Sequence, residues 1–496
     1  MTGTRGCVAA GHPVTAEAGV EILREGGNAV DAAVAAVLAS FTAESPLTGL
    51  GAGGYMLVHD PGMGDPVLLD FFVEVPGRGG VERGAELVAA PVYFTSDQPQ
   101  IFHIGAASCG VPGTPAGLER ALELFGSAPL SELVGAGVRA ARDGVRLTTQ
   151  QAYFLAILEP ILCHAAEGRA IYAPDGRLLR EGEVLRIPEL ADALERYAAE
   201  GCEPFYSGEV AHAIADWVTD RGGTLTFADL ETYEPISREP VRGRFRGREL
   251  LTNPPPSSGG VLIALALSRL DRVDRIGVEQ VVETMIAAQE ERTAEFLDGL
   301  YEDGFANRFL ADRLGSTTHI TTVDGDGRCA SVTCSNGTGS GLIVPGTGVH
   351  VNNMLGEQDL NPHGFHRLPT GARMPSMMSP TVALRDGELE VGLGSGGSNR
   401  IRSAITQALL GMLDRGLGAQ EAVDAPRVHF ESGIVHAEPG VDEAALARLA
   451  RGGLEIARWP DHNVFFGGVH AVQRDPGSGR LEGGGDARRG GAVAWA

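Results

Sequence analysis

Gly315-Ser316-Thr317-Thr318-His319-Ile320-Thr321-Thr322-Val323-Asp324 is the stretch that decides how the rest of the chain folds around it. Its threonines, Ile320 and Val323 are β-branched and end on an Asp-Gly turn, which predicts a strand, because such side chains fit a pleated surface. A Ser/Thr run at a strand start is ordinary when taken alone. After it, HITTVDGDGRCASVTCS and TVALRDGELEVGLG continue as short strands separated by Asp-Gly turns that supply the positive φ of tight hairpins. Before it, from Leu118 to about Asp312, apolar residues at i, i+3 and i+4 in LSELVGAGVRAARDG, EVAHAIADWVTDRGG and GVLIALALSRL predict a mainly helical segment.

Nearer the start, TAEAGVEILREGG and NAVDAAVAAVLASF predict two helices of small residues separated by Gly26-Gly27, followed at Leu47 to Val58 by a glycine-rich turn into a buried strand. Pro254-Pro255-Pro256 with Ser257-Ser258-Gly259-Gly260 predicts a rigid turn that opens onto a helix. Strands flanked by helices on both sides of residue 316 predict a layered α/β protein whose two halves share one core. No flexible linker reads around 312–318.

The chain has 496 residues and a formal net charge of -24. Such a surface repels a polyanion on average, which argues against nucleic acid and for a small-molecule substrate. All 40 cationic side chains are arginine, so Schiff-base lysine chemistry and a phosphate loop ending in Gly-Lys-Ser/Thr are excluded. Cys7, Cys109, Cys163, Cys202, Cys329 and Cys334 are scattered without metal-ligand spacing, so neither a metal site nor a disulfide framework is expected. The N-terminal MTGTRGCVAAGHPVTAEAG lacks an apolar signal region and no run of 18 apolar residues follows, which predicts a cytoplasmic protein outside the membrane.

Five further segments give the threonine stretch its meaning: GGNAVDAAVAA (26–36), GVPGTPAGLE (110–119), PPPSSGG (254–260), MSPT (378–381) and GSGGSNRI (394–401). In this order, and over nearly the whole chain to DARRGGAVAWA, the sequence resembles the gamma-glutamyltransferase (gamma-glutamyltranspeptidase) family of N-terminal nucleophile (Ntn) hydrolases. The resemblance implies a four-layer αββα sandwich and a zymogen that cuts itself into a large subunit, 1–316, and a small catalytic subunit, 317–496. Thr317 matches the family nucleophile. Its hydroxyl would attack the Ser316 carbonyl, an N→O shift and hydrolysis would follow, and the freed α-amine would then act as base. With an unperturbed pKa of about 7.7–8.0 that amine is partly neutral near pH 7. One residue thereby supplies nucleophile and base, and neither cofactor nor metal is needed.

The resemblance also assigns supporting roles. Gly396 and Gly397 fall at the oxyanion-hole motif, where backbone N–H groups would receive the developing charge. Ser335 takes the place of a threonine whose hydroxyl supports the nucleophile, and Asn336 that of a substrate-binding asparagine. Glu357 stands for the acidic residue that holds a glutamyl α-ammonium. Ser376 matches the first of two serines near the α-carboxylate, with Met377 at the second. His319 is expected to orient the processing site, although a strand histidine satisfied by its neighbours is an equal reading; His12 and Asp324 draw no assignment. Phe72 stands where glutamyl-specific members carry the arginine that forks onto the α-carboxylate. Its loss removes charge-assisted hydrogen bonds of about 1.5–3 kcal/mol each. Phe72, Met354 and Met377 therefore predict a more apolar pocket, with packing as the alternative.

The functional expectation is a self-processing, gamma-glutamyltransferase-like amide hydrolase or acyltransferase, with glutathione metabolism as the family's setting. The alternatives are an acylase that cleaves a non-glutamyl amide of a secondary metabolite and, from a different class, an unprocessed binding homologue. Water or amine as acceptor and assembly into a homo-oligomer stay open.

Overall fold

The structure, a computed structural model, describes residues 5–93, 99–290, 318–361 and 363–496. Ser316 and Thr317 lie outside the described residues, as does the 312–317 part of the segment read as lacking a linker.

Thirteen strands form two large sheets: β1 (Gly6–Ala10), β2 (Gly53–His59), β3 (Val67–Phe71), β4 (Ile236–Arg238), β5 (Val241–Phe245), β6 (Arg248–Thr252), β7 (Thr318–Asp324), β8 (Cys329–Ser335), β9 (Thr381–Arg385), β10 (Glu388–Gly396), β11 (Gly468–Arg474), β12 (Leu481–Gly485) and β13 (Ala492–Trp495). The first sheet runs β13-β1-β7-β8-β2-β3-β4 and the second β12-β11-β10-β9-β6-β5. Both sheets contain strands from before and after residue 317, hydrogen-bonded to one another at β13-β1, β1-β7, β8-β2 and β9-β6, so the two halves of the chain share one core. In the centre of the first sheet, β1 pairs antiparallel with β7 and β7 with β8, which in turn pairs with β2.

Helix α1 (Pro13–Glu25) ends on Gly26 at φ 101°, and α2 (Ala29–Ala43) begins at Asn28 with a reciprocal capping box to Asp31. Every residue of α2 is buried, and its alanines and valines let the helix lie close between α1 and the first sheet. Asp31 is tolerated there because it accepts from the N–H groups of Asn28, Ser127 and Ala128. Between the sheets, Cys7, Ala9, Tyr55, Leu57, Val323, Leu251, Val382 and Val472 form one apolar cluster. The outer face of the second sheet packs on α3 (Gly259–Leu270) and α4 (Ile401–Leu409) through Leu250, Ile263, Leu393 and Ile405. The order of layers is helix, sheet, sheet, helix.

One element differs from the sequence expectation. The stretch read as mainly helical contains the hairpin β5–β6, whose two-residue turn Arg246-Gly247 has positive φ at both positions (49° and 76°). In VRGRF only Val241 and Phe245 point inward, and the arginines between them hide the two-residue period from an apolar count. The Asp386-Gly387 turn behaves as expected, with φ of 54° and 85° between β9 and β10. Among the described residues no helix is long and apolar enough to cross a membrane.

Candidate active site

At the start of β7, side chains alternate between the two faces of the sheet. Thr322 turns toward α2 and donates to the Ala29 carbonyl, whereas His319 and Thr321 turn toward the second sheet. Thr318 Oγ1 donates to Glu44 Oε2 at 3.2 Å, and Thr15 Oγ1 donates to Glu44 Oε1 at 2.9 Å. Burial, opposed by these hydroxyls and by Arg489, pushes the Glu44 carboxyl up to about 7. A titratable carboxyl group therefore holds the residue next to Thr317.

A cleft opens where β8 and β10 end; Leu47, Ser335, Gly337, Glu357, Gly397 and Arg400 contribute to its wall. Ser335 closes β8, and its Oγ accepts from the Gly337 N–H at 2.8 Å. Gly337 has φ 64°, and a Cβ there would meet Asn353 Oδ1 at 2.1 Å and Glu357 Oε1 at 2.8 Å, so the turn brings backbone directly against the carboxylate. Glu357 is buried, and desolvation, reinforced by Asp359, pushes its carboxyl up to about 8. A carboxyl raised this far is largely protonated near pH 7.

Across the cleft, Gly396 ends β10 paired with Gly468, and the chain turns sharply at Gly397, φ 133°. A Cβ on Gly397 would lie 2.7 Å from the Gly467 Cα, so only glycine fits. Among the described residues the N–H groups of Gly397 and Ser398 have no hydrogen-bond acceptor, and both residues line the cleft. The free donor pair is therefore Gly397 and Ser398, one residue beyond the pair read from the sequence; Gly396 belongs to the ladder.

Other expected site residues lie elsewhere. His319 is fully buried between the sheets, its ring nitrogens 2.9 Å from Thr333 Oγ1 and 2.8 Å from Thr321 Oγ1, and burial keeps it neutral. Gly394 makes room for that ring, since a Cβ there would meet it at 2.4 Å. Phe72 is fully buried in the inter-sheet core, stacked on Tyr55 at 5.5 Å, with its carbonyl accepting from Tyr233 and Arg373. Met377 packs on Leu262 and Ala288, and Met354 belongs to the Phe72 cluster. None of these three lines the cleft, which corrects the expectation of an apolar pocket built from them: each is held inside by packing. Ser376 is buried behind the 254–260 turn, where its Oγ accepts from the Met378 N–H and its carbonyl from Ser258. Asn336 is buried beside Ser335 and donates to the His350 carbonyl.

The structure adds Arg400 and Arg489 to the cleft. Arg400 donates to the Phe465 carbonyl at 3.0 Å and lies 3.8 Å from Glu431. Arg400 stood inside a motif already singled out, but without a role. Arg489 sat in the C-terminal DARRGG, where nothing local marked it.

Comparison with known proteins fits this geometry. The gamma-glutamyltranspeptidase family profile matches residues 15–309 and 302–496. The chain is 29% identical to a glutathione hydrolase proenzyme of Bacillus subtilis (strain 168), over 99% of this chain and 91% of that protein. It is 31% identical to the acylase ACY 1 proenzyme of Pseudomonas sp. (strain V22), over 96% and 91%. The crystal structure of a cephalosporin acylase from Bacillus halodurans superposes with a TM-score of 0.84 at 27% identity, covering 99% of this chain and 96% of that one. The chain belongs to the gamma-glutamyltranspeptidase family of Ntn hydrolases.

Proposed function

We propose that this chain is the precursor of an amide hydrolase or acyltransferase that cleaves itself between Ser316 and Thr317 and then works through an acyl-Thr317 intermediate. The observation that carries the reading is convergence: Ser335 and the N–H groups of Gly397 and Ser398 border one cleft, and Thr318 pairs with Cys334, the residue before Ser335, in the neighbouring ladder. Thr317 is one peptide bond from Thr318, so its Cα lies about 3.8 Å from that of Thr318 in any trans conformation. In this reading the hydroxyl of Thr317 attacks the substrate carbonyl, its α-amine takes the proton, and the N–H groups of Gly397 and Ser398 hold the oxyanion. The Ser335 hydroxyl supports the nucleophile, and the leaving amine departs with the proton returned by the α-amine. Water or an acceptor amine then releases the acyl group. The two halves stay together after the cut because each contributes strands to both sheets, hydrogen-bonded to strands of the other.

The chain resembles an acylase and a glutathione hydrolase to the same degree, and Phe72 places no cation in the cleft. The likeness leaves both acyl classes open, and the core position of Phe72 favours an acyl group that is not held in the glutamyl manner. A denaturing gel tests the central claim. Purified protein should resolve into fragments of 316 and 180 residues, and Thr317→Ala should remain full-length. A single full-length band for both proteins, with no turnover of acyl anilides, refutes it.

A further inference from the structure

Beyond Ser398 the cleft runs on into a second groove. Gln100, Phe102, Glu357 and Arg400 belong to the walls of both, so the two are continuous. One side of the groove is the strand Pro99–Ile104, through Gln100, Ile101 and Phe102. The other side is aromatic and consists of Phe465, Trp459 and His436, all three partly exposed. The short turn Val464–Phe466 separates the compartments, with Val464 lining the cleft and Phe465 the groove.

The rings are held as a shelf. Trp459 and Phe465 stack at 4.6 Å with 24° between their planes, and the buried Phe466 sets its edge against both. Trp459 Nε1 donates to His436 Nδ1 at 3.2 Å, so the indole N–H is already used and the shelf offers a ligand mainly ring surface. Ring surface pairs best with another ring, offset or edge-on. The same wall carries the carboxyl groups of Glu357, Asp359 and Glu431 against one guanidinium, Arg400, which lies 3.8 Å from Glu431. A ligand carboxylate would meet more negative than positive charge there.

We propose that this groove is the amine subsite of the enzyme and takes an aromatic amine that carries no carboxylate, first as the leaving group of the amide substrate and then as the acceptor. The inference rests on the acyl-transfer reading. The acyl group stays in the inner cleft beside Ser335 while it is bound to Thr317, so the compartment that opens outward is left to the amine. Ile101, 42% exposed, and the partly exposed Trp459 stand along that way out. In transfer, the nitrogen of the free-base amine forms a C–N bond to the acyl carbonyl carbon and the C–Oγ bond to Thr317 breaks. The proton of the amine passes through the Thr317 α-amine to Oγ, which restores the hydroxyl.

Three ligands of one skeleton test the groove without turnover, by calorimetry on the purified protein. Phenethylamine and 2-cyclohexylethylamine share charge and length and differ in the ring, and phenylalanine adds a carboxylate to the first. Phenethylamine should bind about three- to tenfold more tightly than the saturated amine, although the latter is the more hydrophobic, and at least about threefold more tightly than phenylalanine. Trp459→Leu should bring the two amines to within about twofold of each other, and Phe465→Leu should do the same. Equal binding of the two amines by the wild-type protein overturns the proposal whatever the variants do, and so does a preference that survives in either folded variant. Phenylalanine bound as tightly as phenethylamine overturns the exclusion of carboxylates. In parallel, the ratio of amide formed to acid released from an acyl anilide should favour phenethylamine over 2-cyclohexylethylamine, and Trp459→Leu should level it. Protein that is cut and active but binds both amines equally refutes the groove alone. Ring-selective binding by protein that stays full-length and hydrolyses no anilide refutes the acyl-transfer reading and leaves an aromatic-amine site.

Discussion

Replacing Glu357 by Gln probes the cleft through its electrostatics. Burial, with Asp359 nearby, raises this carboxyl from an ordinary 4.5 to about 8 in the folded protein. Between those values the unfolded chain has released the proton and the native state still holds it, so the unfolded state binds fewer protons and stability falls as pH rises. The contribution of Glu357 is thus fully present below about pH 4.5 and lost as pH rises through about 8. At about 1.4 kcal/mol per pH unit the full span is on the order of 5 kcal/mol. Relaxation and water entry reduce it, so about 2–4 kcal/mol is expected.

Glutamine keeps the shape and cannot ionise, while every other titrating group is common to the two proteins and cancels in the comparison. Denaturant titrations of wild type and Glu357→Gln from pH 5 to pH 9 should therefore show the variant gaining about 2–4 kcal/mol relative to wild type, with the gain complete just above pH 8. A ligand bearing an ammonium group should reverse the order. It ionises Glu357 on binding, so at pH 7 its binding to wild type releases a proton, seen as a buffer-dependent heat. A stability difference constant to within about 0.5 kcal/mol over the whole range would refute the raised pKa and, with it, the idea of a carboxyl that charges only when occupied.

Gly397→Ala forces a Cβ onto a φ of 133° and to 2.7 Å from the Gly467 backbone, so the turn must move its free N–H. Acyl-anilide turnover should fall about 10²- to 10³-fold, the usual loss for one oxyanion donor, and turnover within threefold of wild type would remove Gly397 from that role. Glu438→Ala strips Arg488 of a buried two-point pair, Nε to Oε1 at 2.7 Å and Nη2 to Oε2 at 2.6 Å, leaving a guanidinium that retains Asp486 at 3.2 Å and the Val423 and Ala425 carbonyls, both at 3.0 Å. Stability in guanidinium chloride should drop by about 3–5 kcal/mol, and a loss below about 1 kcal/mol would mean that Asp486 and the two carbonyls suffice.

What could be read from the sequence was whatever the covalent neighbourhood dictates. The two alanine-rich helices, the hairpin at Asp386-Gly387 and the Gly396-Gly397 turn carry their geometry in their own residues, and Glu357 followed from its motif. The one-residue move from Gly396 to Gly397 and Ser398 as free donors depended on where β10 stops pairing with β11, which is a property of the sheet. Phe72 failed for a related reason. Its position along the chain matched a ligand-binding arginine, but an aromatic ring is free to turn into the inter-sheet core, where it stacks on Tyr55 and leaves only its carbonyl to Arg373.

Arg489 shows the limit most sharply. Two arginines stand side by side in Asp486-Ala487-Arg488-Arg489, chemically identical in the sequence, yet Arg488 is paired to Glu438 and Asp486 in the core while Arg489 reaches the cleft across Gly468. Nothing local separates them. The difference arises because β11 and β12 return the chain to the end of β10, where one side of the turn meets acids and the other meets the Gly397 loop. A residue whose place in the cleft depends on the approach of strands about 90 positions apart has no signature in its own neighbourhood. What distinguishes the two in the folded protein is pairing: Arg488 is held by two carboxylates, whereas among the described residues Arg489 has no ion pair.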